Sequence, residues 1–510
     1  MAILELTLPK PGVPVDGTLE TDAKNLGSWL DNLPYLAVVE SAREINARLY
    51  TLNRNGLPAD QRLQLMEQYH TAYRRLHESL IDAQLARTGR PEPYEAIQEG
   101  RALCEEMAFG YKLAISDSVA SRGSLSKKQE IALAIERAIH YLSIYLIQHY
   151  QTYDMIEGSI LPEIVALYHH AERAALLQEK VPTASTESAL TAIGSTFKRI
   201  AFLSAMDPYR LSPRTVWDVF NYLGEHKEKI QLQGPDDGTD KTGILILDLD
   251  RDNTQDSGSG DTRQYWLNGR ALTEALHRDL EKLQAGGSPL DIGFSDRITK
   301  SETIQLGARL LKLWARAPQR VMPRFSGSGT TTLLNVGLSA IHGGLADDRS
   351  GSAASASHVH CLLLNRSKGG LALQCVKVDG AKLSVGQITA VGMPASAGTL
   401  HWIPAIVRWL IKTHSDGIRF GIQYIGDHLV PVEIGTLQSD WEERKTHSAL
   451  GLELRHGGQT LQTIIGPRGV FRKGRQLLLI DGEETSKIIC SQLLESFATL
   501  ERFSYRIKET

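Results

Sequence analysis

Near residue 320 the spacing of apolar residues changes from the three-and-four step of a helix face to the alternation of a half-buried strand. One structural layer does not accommodate both periods. Before that point Leu63, Met66, Tyr69, Tyr73, Leu76 and Leu80 recur at helical steps. Ser126, with Gln129 three residues on, has the pattern of a capping box, and Ile131, Ile135, Ile139, Leu142 and Leu146 continue the helical period. Ser212 followed by Pro213 marks another helix start, because proline at the first helical position gives up no needed hydrogen bond. Beyond Arg320, strand-like runs fall at 330–341, 358–364, 371–378, 387–393, 402–411, 417–425, 449–454, 460–465, 476–480 and 486–490. Asp379-Gly380, Asp416-Gly417, Gly457-Gly458 and Asp481-Gly482 supply turns between them.

A chain of 510 residues exceeds what one hydrophobic core sustains. The expected fold class is multi-domain α+β: a helical domain over 1–232, an α/β connecting unit over 240–315, an antiparallel β-barrel over 316–430 and an additional antiparallel β extension over 431–510. The Gly-, Pro- and Asp-rich QGPDDGTDKTG (233–243) reads as a linker, GILILDL (243–249) as a short buried strand, and 269–285 and 302–316 as amphipathic helices. No repeat of 34 or about 40 residues indicates a helical solenoid. HGGLADDRSGSAASASH (342–358) interrupts the strand series with small and polar residues and is expected to be a flexible insertion.

Charge and composition narrow the function. With 56 basic and 59 acidic residues the net charge is −3, which favours neither a nucleic-acid polymer nor an anionic membrane as partner. No run approaches the ~18–20 apolar residues of a membrane span. The opening MAILELTLPKPGVPVDG lacks the basic start and apolar run of a secretory leader, so a cytoplasmic location is expected. Cys104, Cys361, Cys375 and Cys490 are too sparse for a disulfide scaffold and read as reduced structural thiols. Whether Cys361 and Cys375 face each other on neighbouring strands stays open.

Metal and catalytic patterns are weak. Asp248, Asp250 and Asp252 open like a calcium loop, but Asn253 stands where glycine belongs and Ser259 where glutamate belongs. His169 and His170 are adjacent on a helical stretch and point to different faces, and His140 and His149 read as packed or surface histidines. FSGSGTTT (325–332) is glycine-rich without being a phosphate-binding P-loop, and no nucleophile elbow or dinucleotide fingerprint occurs. No metal, cofactor or catalytic set is therefore expected, and the chain does not read as an enzyme.

Two short motifs stand in order within the β region. Arg320-Val-Met-Pro-Arg324 precedes the first strand, and Asn365-Arg366-Ser367-Lys368-Gly369-Gly370 follows the strand HVHCLLL. Arginine presents a planar fork that fits a phosphate or the O6/N7 edge of guanine. Asn365 can donate and accept at once, Ser367 offers a small hydroxyl, and Gly369 and Gly370 permit a tight turn and close approach of a ligand. Taken alone, the same residues make an ordinary β-turn. Together with LALQC, Gly386-Gln387, IPAIVRWLI and GIRFGIQYI, they make residues 316–430 resemble the PilZ family of cyclic di-GMP receptors.

The resemblance implies a PilZ-like barrel that binds cyclic di-GMP through Arg320, Arg324, Asn365, Ser367 and Gly370. Arg316, Arg366 and Gly369 stand as further candidates, and Arg316-x-x-x-Arg320 overlaps the first motif and leaves its register open. Arg324 and Asn365 lie 41 positions apart, more than the family usually has, and the 342–358 insertion would absorb the excess. The GG[DE]EF and EAL signatures of enzymes that make or degrade the nucleotide do not occur. The expected role is a receptor that passes ligand binding to an unidentified protein partner through the helical half. The alternative is a structural adaptor or chaperone-like protein whose barrel no longer binds nucleotide.

Overall fold

The computed structural model describes residues 6–10, 20–86, 93–120, 128–156, 160–184, 189–234, 242–249, 264–315, 325–326, 329–350, 358–375, 383–394, 400–413, 417–436, 446–456, 459–497 and 499–508. Its first half is helical: α1 (Ala23–Asp31), α2 (Val38–Asn53), α3 (Ala59–Leu85), α4 (Pro93–Ala120), α5 (Lys128–Thr152), α6 (Ile160–Arg173), α7 (Ile193–Ala205) and α8 (Pro213–His226). Ser126 lies outside the described residues. Ser212 is the residue before α8, but its hydroxyl meets Thr215 Oγ1 at 2.6 Å rather than a backbone N–H. Helix α5 is buried around most of its circumference, including Glu136 and Arg137, which pair at 2.7 Å. Thr196 donates to the same carboxylate, so the buried Glu136 charge is both paired and hydrogen-bonded.

A two-stranded ribbon, β1 (Lys180–Pro182) and β2 (Leu190–Ala192), interrupts the helices, and β3 (Gln231–Gln233), β4 (Ile244–Asp248) and β5 (Gln264–Asn268) form a small sheet in the order β3-β5-β4. Helices α9 (Arg270–Gln284) and α10 (Lys300–Ala315) follow. Their apolar faces, with Leu245 and Leu267 of the small sheet, join one continuous core that runs from Leu26 to Trp314. Among the described helices none is long and apolar enough to cross a membrane.

The second half is built from two successive barrels. In the first, β6 (Phe325–Ser326), β7 (Thr331–Val336), β8 (Val359–Ser367), β9 (Gly370–Cys375), β10 (Ile388–Pro394), β11 (Leu400–Lys412) and β12 (Ile418–Tyr424) are antiparallel. Strand β8 pairs with β6 and β7 along one edge and with β9 along the other, and the ring closes in the order β7-β8-β9-β12-β11-β10. The second comprises β13 (His428–Thr436), β14 (Thr446–His456), β15 (Gln459–Pro467), β16 (Gln476–Asp481), β17 (Glu484–Ser496) and β18 (Leu500–Ile507), closed in the order β13-β14-β15-β18-β17-β16. Numbered within each barrel, both rings read first, second, third, sixth, fifth, fourth. The extension expected over 431–510 thus repeats the connectivity of the barrel before it.

Two sequence expectations are corrected here. The segment taken as a flexible insertion begins as helix α11 (Leu338–Ser350), which also shortens the strand expected over 330–341. Ile341 of α11 is fully buried in a seam with Ile388, Trp402 and Ile406 of the first barrel and Leu429, Leu450 and Leu452 of the second. Leu338 and Leu345 pack against the same seam, so burial between barrels orders a helix that composition alone disfavours. Cys361 and Cys375 are joined in a disulfide with Cα atoms 4.6 Å apart, because adjacent strands place them opposite each other inside the first barrel. Cys104 and Cys490 are free and buried.

Tyr153 carries the helical half into the core of the first barrel, and Tyr209 packs against the same core. Tyr153, just beyond α5, is 4% exposed and belongs to the barrel's core with Leu373, Val407 and Phe420. Its hydroxyl accepts from the Val385 N–H at 3.1 Å and its carbonyl accepts from the Lys412 N–H at 2.8 Å. Reaching that position forces Tyr153 to φ 61°, which a non-glycine residue adopts at a cost. Replacing Tyr153 with Ala should destabilise the protein by about 3–5 kcal/mol, read as a lower denaturation midpoint.

The bundle interior also sets a pH response. His70 is buried, with its Nδ1 2.7 Å from the Tyr141 hydroxyl. Burial first, then the charges of Arg137 and Arg74, push its pKa down to about 2. The folded state therefore favours neutral imidazole, so stability is complete above the unfolded value of about 6.5 and falls as pH drops toward the folded one. Acid unfolding should steepen below about pH 6.5, and His70→Gln should flatten that limb of the stability curve.

Candidate functional site

The Asn365-to-Gly370 motif forms the tip of the β8–β9 hairpin. Ser367 pairs with Gly370, leaving Lys368 and Gly369 as the two-residue turn, and the Ser367 hydroxyl donates to the Gly370 carbonyl at 3.2 Å. The Gly369 carbonyl accepts from the Tyr424 N–H at 3.0 Å, which ties the turn to β12. A Cβ on Gly370 would stand 2.0 Å from the Ile422 carbonyl oxygen, so only glycine lets β9 and β12 approach here. Gly369 has open space around it. Arg366, Lys368 and Gly369 are exposed, and Asn365 and Ser367 are partly exposed.

The register identifies which residues share the outer face. Leu371, Leu373 and Cys375 point into the core, so Ala372 and Gln374 point out. Asn365, Ala372 and Gly421 stand in a row across β8, β9 and β12. Trp409 of β11 pairs with Gly421 and lies against it, with its indole 1.9 Å from where a Cβ would stand. In the next row Arg419 Nε donates to Gln374 Oε1 at 3.2 Å. On the other side Gln423, opposite Gly370, accepts from Arg408 Nε at 2.8 Å.

A register shift between Val407 and Trp409 makes Arg408 the extra residue of a bulge, a device that re-aims a side chain. The hairpin thus borders a surface of guanidinium forks, amide edges and one indole plane, set around the small residues Ala372 and Gly421. Of these, the sequence had singled out only Asn365. Trp409, Gln374, Gln423, Arg419 and Arg408 were missed because strand pairing, not chain proximity, assembles them. Alternation within GIRFGIQYI and IPAIVRWLI was the available signal.

Arg316, Arg320 and Arg324 lie outside the described residues, which stop at Ala315 and resume at Phe325. The resumed backbone is informative. Phe325 pairs with Arg366 and Ser326 with Asn365, so the residue that follows Arg324 in the chain lies directly across from the hairpin motif. Phe325 is itself 61% exposed. The 40 residues between Arg324 and Asn365 include β6, β7, α11 and the first part of β8.

Other candidates have structural partners. His169 meets Glu172 at 3.0 Å and the Tyr265 hydroxyl at 2.6 Å. Asp248 is described but Asp250, Asp252, Asn253 and Ser259 are not, and no cluster of three metal-ligating side chains occurs among the described residues. A cavity of about 560 Å³ opens between α4, α5, α6 and the end of β11. It is lined by the Lys112–Glu163 pair and by Asp154 and Lys412, which also bridge to each other at 3.3 Å.

Comparison with known proteins adds a second line. Residues 24–237 match the family described as the N-terminal domain of the cyclic-di-GMP receptor FimW. Over 99% of its length the chain is 22% identical to the cyclic-di-GMP receptor FimW of Pseudomonas aeruginosa, of which it covers 94%. Both similarities are to cyclic di-GMP receptors, and the first falls on the helical half rather than on the barrels. A substitution tests the hairpin geometry independently of any ligand: Gly370→Ala should cost about 1–3 kcal/mol in urea unfolding through the clash with the Ile422 carbonyl.

Proposed function

We propose that this chain is a non-enzymatic cytoplasmic receptor for cyclic di-GMP, and that the nucleotide binds on the outer face of the first, PilZ-like barrel. In this reading Arg320 and Arg324 grip phosphate or guanine with their forks, and Asn365 reads a guanine edge. Ser367 and Gly370 hold the hairpin tip in shape, with Arg366 and Gly369 at its rim. Trp409 offers a plane on which a base can stack, and Gln374, Arg419 and Gln423 supply further polar edges. The observation that supports the reading is the pairing of Phe325 with Arg366 and Ser326 with Asn365, which sets the residue following Arg324 opposite the hairpin motif. The similarity to a cyclic-di-GMP receptor over nearly the whole chain supports it.

The helical half then serves as the output, passing ligand binding to a protein partner. Tyr153 supplies the material link, since it belongs to the barrel's core and to the chain of the bundle at once. A ligand shifts such an arrangement only by its differential affinity for the two states, and contacts that Arg320 and Arg324 would make only with the ligand are a source of that difference.

Cyclic di-GMP should raise the melting temperature of the purified chain by mass action, and equal concentrations of ATP or GTP should do much less. Arg324→Ala removes a charge-assisted contact worth about 1.5–3 kcal/mol and should weaken binding by roughly one to two decades in calorimetry. Arg320→Ala should behave alike, Arg316→Ala should matter less, and Asn365→Ala should weaken binding without lowering the ligand-free melting temperature. Equal shifts with all three nucleotides, or wild-type affinity in both Arg324→Ala and Asn365→Ala, would refute the receptor reading and favour a ligand-free adaptor.

A further inference from the structure

The boundary between the barrels runs beside the proposed ligand face. Ile388 and Ile406 point outward from the first barrel but are covered by the second, in the seam that α11 completes. Ile406 pairs with Gln423, and Gln423 with Gly370, so the covered and open parts of the outer face meet along one row of residues. Arg408 stands at that meeting line. Its Nε is held by Gln423, and its Nη2 reaches across the seam to Glu495 of β17 at 3.0 Å. Strand spacing puts Arg408 only two strands, or about 10 Å, from the hairpin tip at Gly370.

Glu495 is oversupplied with cations. Arg502 of β18 lies 3.8 Å from its other oxygen and is held in place by Thr463 Oγ1 at 3.3 Å. Arg309 of α10, whose guanidinium donates to the Arg210 carbonyl, also faces this cluster. Burial and the neighbouring charges of Arg408 and Arg210 lower its pKa to about 10, against the opposing pull of Tyr153 and Glu495. Arg408 is the more accessible member: its side chain is 30% exposed, whereas that of Arg502 is 8% exposed. If Arg408 turned away, Glu495 would keep Arg502.

We propose that Arg408 is an additional phosphate-binding residue of the nucleotide site, and that a ligand phosphate competes with Glu495 for it. The proposal rests on the receptor reading above. Without ligand, the Arg408–Glu495 pair fastens the second barrel to the edge of the ligand face. With ligand, Arg408 exchanges one anion for another, and the cross-barrel tie is released while the apolar seam remains. Like-charge relief at Arg309 favours the exchange, because a dianionic ligand adds negative charge beside a cluster in which Arg309, Arg408 and Arg502 share Glu495.

The two partners of this ion pair should act in opposite directions. In calorimetry on the full chain with cyclic di-GMP, Arg408→Ala should weaken binding by about tenfold or more, and Arg408→Lys should fall between, having the charge without the fork. Glu495→Gln removes the competitor and should tighten binding by about three- to tenfold. Cyclic di-GMP should also speed amide hydrogen exchange at the β17 residues around Glu495 in the wild type. A purely structural pair would weaken binding in both variants; that result, or unchanged affinity in both, overturns the proposal. Absence of binding by the wild type would instead overturn the receptor reading on which it rests.

Discussion

The first barrel does not complete its own interior. Tyr153 comes from the helical half, yet its ring is packed among Leu373, Val407 and Phe420, and its hydroxyl satisfies a backbone N–H that the strands leave unpaired. Around it, Asp154 binds Arg101 of α4 at 2.7 Å and Lys412 of β11 at 3.3 Å, and its carbonyl accepts from the Tyr209 hydroxyl at 2.8 Å. The bundle and the barrel are thus joined by a packed side chain inside a collar of polar contacts, not by a flexible linker. A packed joint has few alternative arrangements. Under the proposed function, that property would let a change at the barrel surface be felt in the helices.

The same economy appears between the barrels. They share a ring order, but their second hairpins differ in chemistry. The first carries Asn365, Arg366, Ser367 and Lys368 at its tip, whereas the second turns between His456 and Gln459. One barrel presents an open outer face, and the other covers part of its neighbour and supplies Glu495 to the margin. Under the proposed function, the two copies of one topology would divide the work between recognition and restraint.

Much of this was legible from residue patterns, and the failures have physical causes. Local periodicity disclosed α3, α5, α8, α9 and α10, most strands and the hairpin motif, since each depends on residues close in sequence. Strand β13 was missed because Pro431 and Gly435 are poor strand residues. Its tolerance is explained by pairing, as β16 engages only Glu433–Thr436 and leaves the stretch around Pro431 to β14. Helix α11 was missed because small residues mask its stripe of Leu338, Ile341 and Leu345, which only the seam makes meaningful. Ring closure, the Cys361–Cys375 bond and the placement of Trp409 over Gly421 are long-range events that local pattern does not encode. The arginine motif was readable, but its residues are not among those described.

Tyr153 also has a consequence in time. Its hydroxyl's partner, Val385, lies 232 positions further along the chain. At a synthesis rate of about 5–20 residues per second, roughly 10–50 seconds separate the emergence of the two from the ribosome. Throughout that interval the bundle can assemble its own core while the tyrosine faces water with nothing to enter. The first barrel cannot close before β12 is made, because β9 waits for it as a neighbour. The nascent helical half therefore offers an exposed aromatic anchor around which the later strands can gather, and the order of translation becomes an order of assembly.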